Sequence, residues 1–154
     1  MQELGGEVVN ISVDSSTYFN PLDFKPDKST DIPPYVAKAE FVLSLCEQIM
    51  KKENVLPGDR SLIDRALRSI YKPLIESKYT APCPTIKDLW AALNSQGDSR
   101  SKELALALEI FATGSMQVFA QPTNVDMSNR LICFNIQSLG EQLKPVAMLS
   151  MLEY

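Results

Sequence analysis

The sequence predicts a mainly α-helical fold, in which a helical bundle is inserted into a partial α/β sheet. Four amphipathic segments lie between residues 34 and 120, whereas runs typical of strands occur only at 7–12 and 131–136. Two strands alone would keep unpaired edges on both sides. We therefore expect 1–33 and 121–154 to form part of a larger sheet, and 34–120 to form the inserted helical subdomain.

The first strand and the connector after it are predicted from composition. The segment 7–12 is rich in β-branched side chains and follows Gly5 and Gly6. The segment 14–34 contains four prolines, each of which fixes φ and removes a backbone donor. A connector without regular structure is expected there.

The first two helices are predicted from periodicity and from a break between them. Apolar residues recur at helical spacing through 36–52, which predicts the first helix. Pro57 and Gly58 then interrupt the chain. Asp59 is the expected N-cap of a second helix, which should kink or end near Pro73.

The third and fourth helices have clear end signals. Thr85 and Asp88 have the spacing of a capping box, which predicts the start of a short third helix. The fourth helix is predicted for 99–112, with Gly114 as a left-handed stop after it. Its apolar face is broad and includes Leu106, which favours a central position.

The second strand, 131–136, is apolar at nearly every residue, as expected of a strand covered on both faces in a parallel sheet. A final amphipathic segment follows at 143–152. Asn135 stands where phosphate-loop ATPases carry a metal-orienting aspartate. Because an amide is a much poorer magnesium ligand than a carboxylate, we interpret Asn135 as part of an ordinary buried strand.

The overall composition is that of a soluble globular protein, with 154 residues, 45% hydrophobic and 22% charged. The formal net charge of -4 gives no general attraction to nucleic acid, so direct nucleic-acid binding would need a local patch. Cys46, Cys83 and Cys133 are odd in number and far apart, which indicates reduced, buried thiols. Neither an export signal nor an apolar run of roughly 20 residues occurs, so a cytoplasmic location without a membrane-spanning segment is expected.

The residue sets needed for catalysis are incomplete. Histidine is absent, which removes the commonest general base and metal ligand. No glycine-rich loop of the kind that cradles phosphates is present. Carboxylates are scattered singly, so only a pair formed by the fold could support acid/base catalysis. We expect no catalytic, cofactor-binding or metal-binding residues, and no enzyme activity from this chain by itself.

A basic stripe on the second helix is the candidate partner contact. Arg65, Arg68 and Lys72 lie at i, i+3 and i+7, with Arg60 preceding them. They suit a partner's carboxylates, a phosphate held by a neighbouring subunit, or single-stranded DNA. The favoured alternative is a solvated face in which Asp64 and Arg68 form an ion pair.

Three stretches in a fixed order together resemble the conjugative-transfer ATPases of type IV secretion systems. The resemblance is to the version in integrative and conjugative elements of Gram-positive bacteria, and it covers essentially the whole chain. The stretches are 5–12 leading to 20–23, 113–115 with Phe119, and 123–126 leading to 130–136. The motif positions within them are Asn20, Pro21, Asp23, Thr113, Gly114, Thr123, Asn124 and Asp126.

This resemblance implies a segment of a RecA-like motor domain between the Walker A and Walker B motifs, with its inserted helical subdomain. ATP and magnesium are implied for the full-length family, but their motifs lie outside this chain. The family usually shows aspartate where Asn135 stands, so no role is carried over to that position.

The implied protein is a hexameric cytoplasmic ATPase at the inner face of the membrane, which contacts other subunits and channel components. Under this hypothesis the helical subdomain makes those contacts during ATP-driven transfer of DNA or protein. The alternative is a free-standing helical module for protein–protein interaction or regulation.

Overall fold

The computed structural model describes residues 5–27, 29, 31–126 and 128–153. Five α-helices and one two-stranded parallel sheet make up the regular structure of these residues. Short 3₁₀ turns occur at Lys52–Asn54 and Gln117–Phe119. The elements are β1 (Glu7–Asn10), α1 (Pro34–Met50), α2 (Asp59–Glu76), α3 (Ile86–Ser95), α4 (Ser99–Ala112), β2 (Ile132–Asn135) and α5 (Lys144–Leu152).

The predicted order of strand, four helices, strand and helix is confirmed. β1 pairs with β2 in parallel, from Glu7 opposite Ile132 to Asn10 opposite Asn135. All four β2 residues are only half-buried in the described part of the chain, so the covering of both faces that is expected within a larger sheet stays a prediction. Each strand is also shorter than predicted, although the amide of Ile11 still donates to the Asn135 carbonyl at 2.9 Å.

The start of α2 differs by one residue from the prediction. Gly58 is the N-cap, and Asp59 is the first helical residue with a fully buried side chain. Its carboxylate turns inward to bind Arg100, so it does not cap its own helix. The helix also continues through Pro73 to Glu76, where buried residues on both sides of the proline pack into the core.

The ends of α3 and α4 confirm one expectation and correct another. The capping box of Thr85 and Asp88 is present. Gly114 is not left-handed, since the described glycines with positive φ are Gly5 and Gly97. A Cβ at Gly114 would instead lie 2.7 Å from the Ile110 Cα, so glycine is needed there for close approach of the backbone.

One hydrophobic core joins the sheet to the helices. Phe19, in the connector, contacts Phe119 and Phe134 in edge-to-face geometry, at centroid distances of 6.2 and 5.9 Å. Val9 of β1 and Ala147 of α5 belong to the same cluster. The two portions predicted from sequence therefore share their packing, and the boundary between them stays a prediction.

Two expectations about burial are corrected. Leu106, placed on the apolar face of α4, is 67% exposed because the core lies on the opposite side of that helix. All three cysteines are free, but only Cys46 is buried, whereas Cys83 and Cys133 are half-buried. None of the described helices is long and apolar enough to cross a membrane.

Candidate functional site: a polar turn that joins two helices and the loop before β2

The carboxyl ends of both strands meet at one edge of the sheet. Asn135 Nδ2 donates to Asn10 Oδ1 at 2.9 Å, so the two amide side chains bind each other. The Ser15 hydroxyl donates to the Asn10 carbonyl at 2.9 Å, and the Gln137 amide donates to Asn135 Oδ1 at 3.2 Å. Asn135 therefore has a structural role at this edge, as a bridge between the two strands.

The connector after β1 folds into a tight turn at residues 20–24, which we call the hub turn. Asn20 is 1% exposed. Its Oδ1 accepts the Leu22 amide at 3.1 Å, while its Nδ2 donates to Asp23 Oδ1 and to the Pro84 carbonyl, both at 2.9 Å. All these polar atoms of Asn20 are satisfied inside the protein, which makes the turn rigid.

Two helices donate to the backbone of the hub turn. Lys38 of α1 is buried, and its ammonium donates to the Pro21 carbonyl at 3.0 Å and to Glu153 at 2.9 Å. The Tyr71 hydroxyl of α2 donates to the Leu22 carbonyl at 2.5 Å. Burial raises the pKa of Tyr71, which keeps the phenol protonated as a donor. The hub turn is thus held by α1, by α2 and, through Glu153, by the end of α5.

The loop before β2 fastens the other side of the hub turn. The Thr123 hydroxyl donates to Asp23 Oδ2 at 2.6 Å and accepts the Asn20 amide at 2.9 Å. Asn124 Oδ1 accepts the Tyr18 amide at 2.7 Å, just ahead of the turn. Motif positions separated by about a hundred residues therefore form one hydrogen-bonded cluster.

The remaining motif positions do not join this cluster. Thr113 and Gly114 lie at the end of α4, where the Thr113 hydroxyl donates to the Glu109 carbonyl at 3.4 Å. Asp126 binds the amide and hydroxyl of Ser128 at 2.9 and 2.5 Å, and these bonds hold its pKa below the ordinary value. Both groups stabilise local turns.

Sequence reasoning missed the side chains that the helices contribute to the hub turn. The spacing of Lys38 to Val42 and Leu45, i+4 and i+7, places it on the buried stripe of α1. That spacing is a signal for a buried, partnered lysine. Nothing in the sequence distinguishes Tyr71 from an ordinary core residue.

The basic stripe of α2 lies on the surface and is paired within the chain. Arg65 lies 3.5 Å from Asp98, Arg68 lies 3.3 Å from Asp64, and Lys72 lies 3.8 Å from Glu76. The first two arginines also line an open pocket of about 420 Å³ together with Arg60, which is paired with Glu40, and with Ser61 and Asp64. The expected Asp64–Arg68 ion pair is confirmed, and the partner contact stays a prediction.

A buried ion pair connects the starts of α2 and α4. Arg100 Nε and Nη2 donate to the two oxygens of Asp59 at 2.7 and 2.6 Å. The same guanidinium donates to Glu103 at 2.7 Å and to the Asn54 carbonyl at 2.8 Å. The Arg100 guanidinium holds the pKa of Asp59 below its ordinary value, although burial acts in the opposite direction.

The described residues do not fit a nucleotide–magnesium site. The sheet edge carries amides that bind each other, and no group of three or more His, Cys, Asp or Glu side chains in the described part could hold a metal ion. Magnesium favours carboxylate and phosphate oxygens.

These features define a class of architecture: a helical region joined by hydrogen bonds to a polar turn in the connector between β1 and α1, beside a parallel two-stranded sheet. A solved structure, VirB4 of Thermoanaerobacter pseudethanolicus, has this fold, with a TM-score of 0.73 and 20% sequence identity. The match covers 99% of this chain and 61% of that chain. The expected resemblance to type IV secretion ATPases is confirmed at the level of the fold. No family model and no curated protein matches the chain.

Proposed function

We propose that this chain is a part of an ATP-driven conjugative-transfer motor of the type IV secretion class, in which its helices carry contacts to other subunits or to channel components. The observation that supports this most strongly is the VirB4 fold over 99% of the chain. The chain spans less than two thirds of that structure, so nucleotide binding is proposed for segments of the motor other than those described here.

The incomplete sheet supports the same proposal. Parallel sheets are stable mainly when further strands and covering helices bury them, and an isolated pair of strands is marginal. β2 is apolar in sequence yet half-buried, so its face is suited to further packing. In the proposed motor, ATP and magnesium would act at the carboxyl edge of the extended sheet, where open α/β folds bind their ligands.

The hub turn offers a route from that edge to the helices. β1 ends at Asn10, and the chain reaches the hub turn ten residues later. Lys38 and Tyr71 fix the turn to α1 and α2, and α2 carries the basic stripe. In this proposal a displacement of the sheet edge during the nucleotide cycle reaches the hub turn along the connector, and reaches α2 through Tyr71.

A transfer assay in the host cell tests both the motor function and the contact through the basic stripe of α2. An in-frame deletion of the gene should abolish transfer of a marked DNA to a recipient, and undiminished transfer would refute the motor function. Arg65→Glu, Arg68→Glu and Lys72→Glu together should lower transfer at least roughly tenfold, the loss caused by about 1.4 kcal/mol of binding free energy.

The matched control reverses the charge of three exposed lysines that lie outside the basic stripe. Lys52, Lys87 and Lys102 are exposed, and their replacement by glutamate changes the net charge by the same amount. Equal transfer by the two variants, at equal protein levels, would refute the proposed contact through α2 without refuting the motor function. The alternative of a free-standing interaction module predicts that the product made in the cell neither binds nor hydrolyses ATP, which a nucleotide titration measures.

A further inference from the structure

An open pocket of about 230 Å³ lies between the start of α1 and the end of α2. We call it the α1–α2 pocket. Ile32 is 51% exposed, and Ile75 and Tyr79 are each 37% exposed, so apolar and aromatic surface faces solvent here. Grouped apolar surface of this kind often marks an interaction site. The lining residues are Asp31, Ile32, Pro33, Tyr35, Ile75 and Tyr79.

The backbone that places Tyr79 at the α1–α2 pocket has an uncommon conformation. Lys78 and Tyr79 have φ values of 55° and 65°, so two successive residues other than glycine lie in the left-handed region. Such conformations persist where the surrounding structure holds them, and they cluster at ligand sites. The Tyr79 amide donates to the Leu74 carbonyl at 2.9 Å, and the Tyr79 ring packs on Phe24 of the hub turn, with centroids 6.1 Å apart. The turn therefore holds an aromatic ring in a fixed position at the pocket.

The charge and the rings of the pocket suit a cation. Asp31 is exposed, and among the residues that the structure describes its carboxylate has no hydrogen bond or ion pair. The Tyr35 ring already attracts a guanidinium, since Arg68 Cζ lies 4.9 Å from its centroid. Arg68 itself does not line the pocket, and Asp64 pairs with it at 3.3 Å. Asp31 is therefore available to a cation from outside.

The segment that carries Asp31 also offers free backbone groups. Pro33 is extended, with φ of −61° and ψ of 145°, and a residue that precedes a proline is biased toward the same region. Within the described ranges the Ile32 amide and carbonyl form no hydrogen bond. Extended peptides bind to unpaired extended backbone through main-chain hydrogen bonds. The pocket therefore suits a side chain that is carried by a polypeptide.

We infer that the α1–α2 pocket binds an arginine side chain on an extended segment of another protein. A planar guanidinium both pairs with a carboxylate and stacks on an aromatic ring, whereas an ammonium does only the first well. The guanidinium pairs with Asp31 and stacks on Tyr79, and the methylene groups of the arginine pack on Ile75. Because the Tyr79 ring contacts Phe24, an occupied pocket bears directly on the hub turn. The inference does not rest on the proposed function.

Nuclear magnetic resonance of the ¹⁵N-labelled chain tests the site with the blocked peptide acetyl-Gly-Arg-Gly-amide. The amide signals of Asp31, Ile32 and Tyr79 should shift and saturate, with a dissociation constant below about 10 mM. The Ile32 amide proton should move downfield, as expected when it gains a hydrogen bond. The same peptide with citrulline in place of arginine keeps the shape and loses the charge, so its dissociation constant should be about tenfold higher.

Two pairs of variants separate the pocket from general effects. Asp31→Asn should raise the dissociation constant of the arginine peptide about threefold, whereas Asp14→Asn, at another exposed aspartate in the connector, should leave it unchanged. Tyr79→Ala should raise it about fivefold, whereas Tyr79→Phe keeps the ring and should bind like the wild type. Circular dichroism establishes that all four variants are folded.

Four results would overturn the inference. The first is the absence of saturation up to about 50 mM peptide, and the second is equal binding of the arginine and citrulline peptides. The third is free arginine that binds at least about tenfold more tightly than the blocked peptide, because the pocket would then serve a small molecule. The fourth is self-association of the chain that Asp31→Asn abolishes, because the occupant would then be a second copy.

Discussion

Replacing Arg100 with methionine would remove the partner of a carboxylate that has no exposed surface. Asp59 is fully buried and receives two hydrogen bonds from Arg100, at 2.7 and 2.6 Å. Breaking a buried ion pair by removing one partner costs about 3–5 kcal/mol. Since the Arg100 side chain is 24% exposed, water can reach the site once it is removed, so we expect about 3 kcal/mol.

This loss is large enough to measure by two independent methods. For a chain of this size it lowers the melting temperature by about 6–12 °C. Urea denaturation gives the free energy directly, with an unchanged slope if the variant unfolds in one step. Arg68→Met is the matched control, because its ion pair with Asp64 is exposed and should contribute at most about 1 kcal/mol.

The pH dependence of this loss in unfolding free energy distinguishes a lost ion pair from lost packing. In the wild type the lowered pKa of Asp59 contributes stability that is present above its unfolded value of about 3.9 and lost as pH falls through the folded value. In Arg100→Met, burial without a partner raises the pKa of Asp59, so protonation removes part of the penalty. The difference in unfolding free energy should therefore shrink between pH 7 and about pH 4.

A double-mutant cycle with Asp59→Asn refutes or supports the ion-pair explanation. The Arg100→Met change should cost about 2 kcal/mol less in a chain that already carries Asp59→Asn than in the wild type. Equal costs in both backgrounds, within about 0.5 kcal/mol, would show that Arg100 stabilises the protein by packing and not by pairing with Asp59.

Two further substitutions test the turn geometry. Gly114→Ala should lower the free energy of unfolding in urea by about 1–3 kcal/mol, because the new Cβ would lie 2.7 Å from the Ile110 backbone. Gly140→Ala is the control, since a Cβ there would lie in open space and should lower the free energy of unfolding far less. Equal losses for the two variants would contradict the close approach at Gly114. Thr123→Val should cost about 1–3 kcal/mol by removing the hydroxyl that joins the loop before β2 to the hub turn. Thr113→Val removes an exposed hydroxyl and should leave the melting temperature nearly unchanged. An equally small change in melting temperature for Thr123→Val would contradict the role of the Thr123 hydroxyl.

The order and type of the elements could be predicted because each has a local signal. Apolar residues at helical spacing determine which face of α1 or α4 packs inward, and Thr85 with Asp88 fixes the start of α3 without help from the rest of the fold. The continuous apolar run at 131–136 predicted a strand of a parallel sheet, and β1 and β2 do pair in parallel.

Two of the errors arose where the fold, and not the residue type, decides the role of a residue. Asp59 has the residue type of an N-cap, yet Arg100, more than forty residues later, draws its carboxylate inward. Gly114 occupies the position of a left-handed stop, yet the backbone of Ile110 is what requires a glycine. Local sequence is compatible with both roles in each case, so only the fold distinguishes them.

The hub turn shows why the residues that carry the family resemblance are scattered along the chain. Asn20, Asp23 and Thr123 act only as a set, because each satisfies a polar atom of another. Lys38 and Tyr71 add two helices to the same turn. These five residues tie one short turn to three other parts of the chain, so a displacement of the turn stretches their hydrogen bonds together. We therefore expect the helices to follow the hub turn as one body, because slipping against it would break several buried hydrogen bonds at once, each costing about 1–3 kcal/mol.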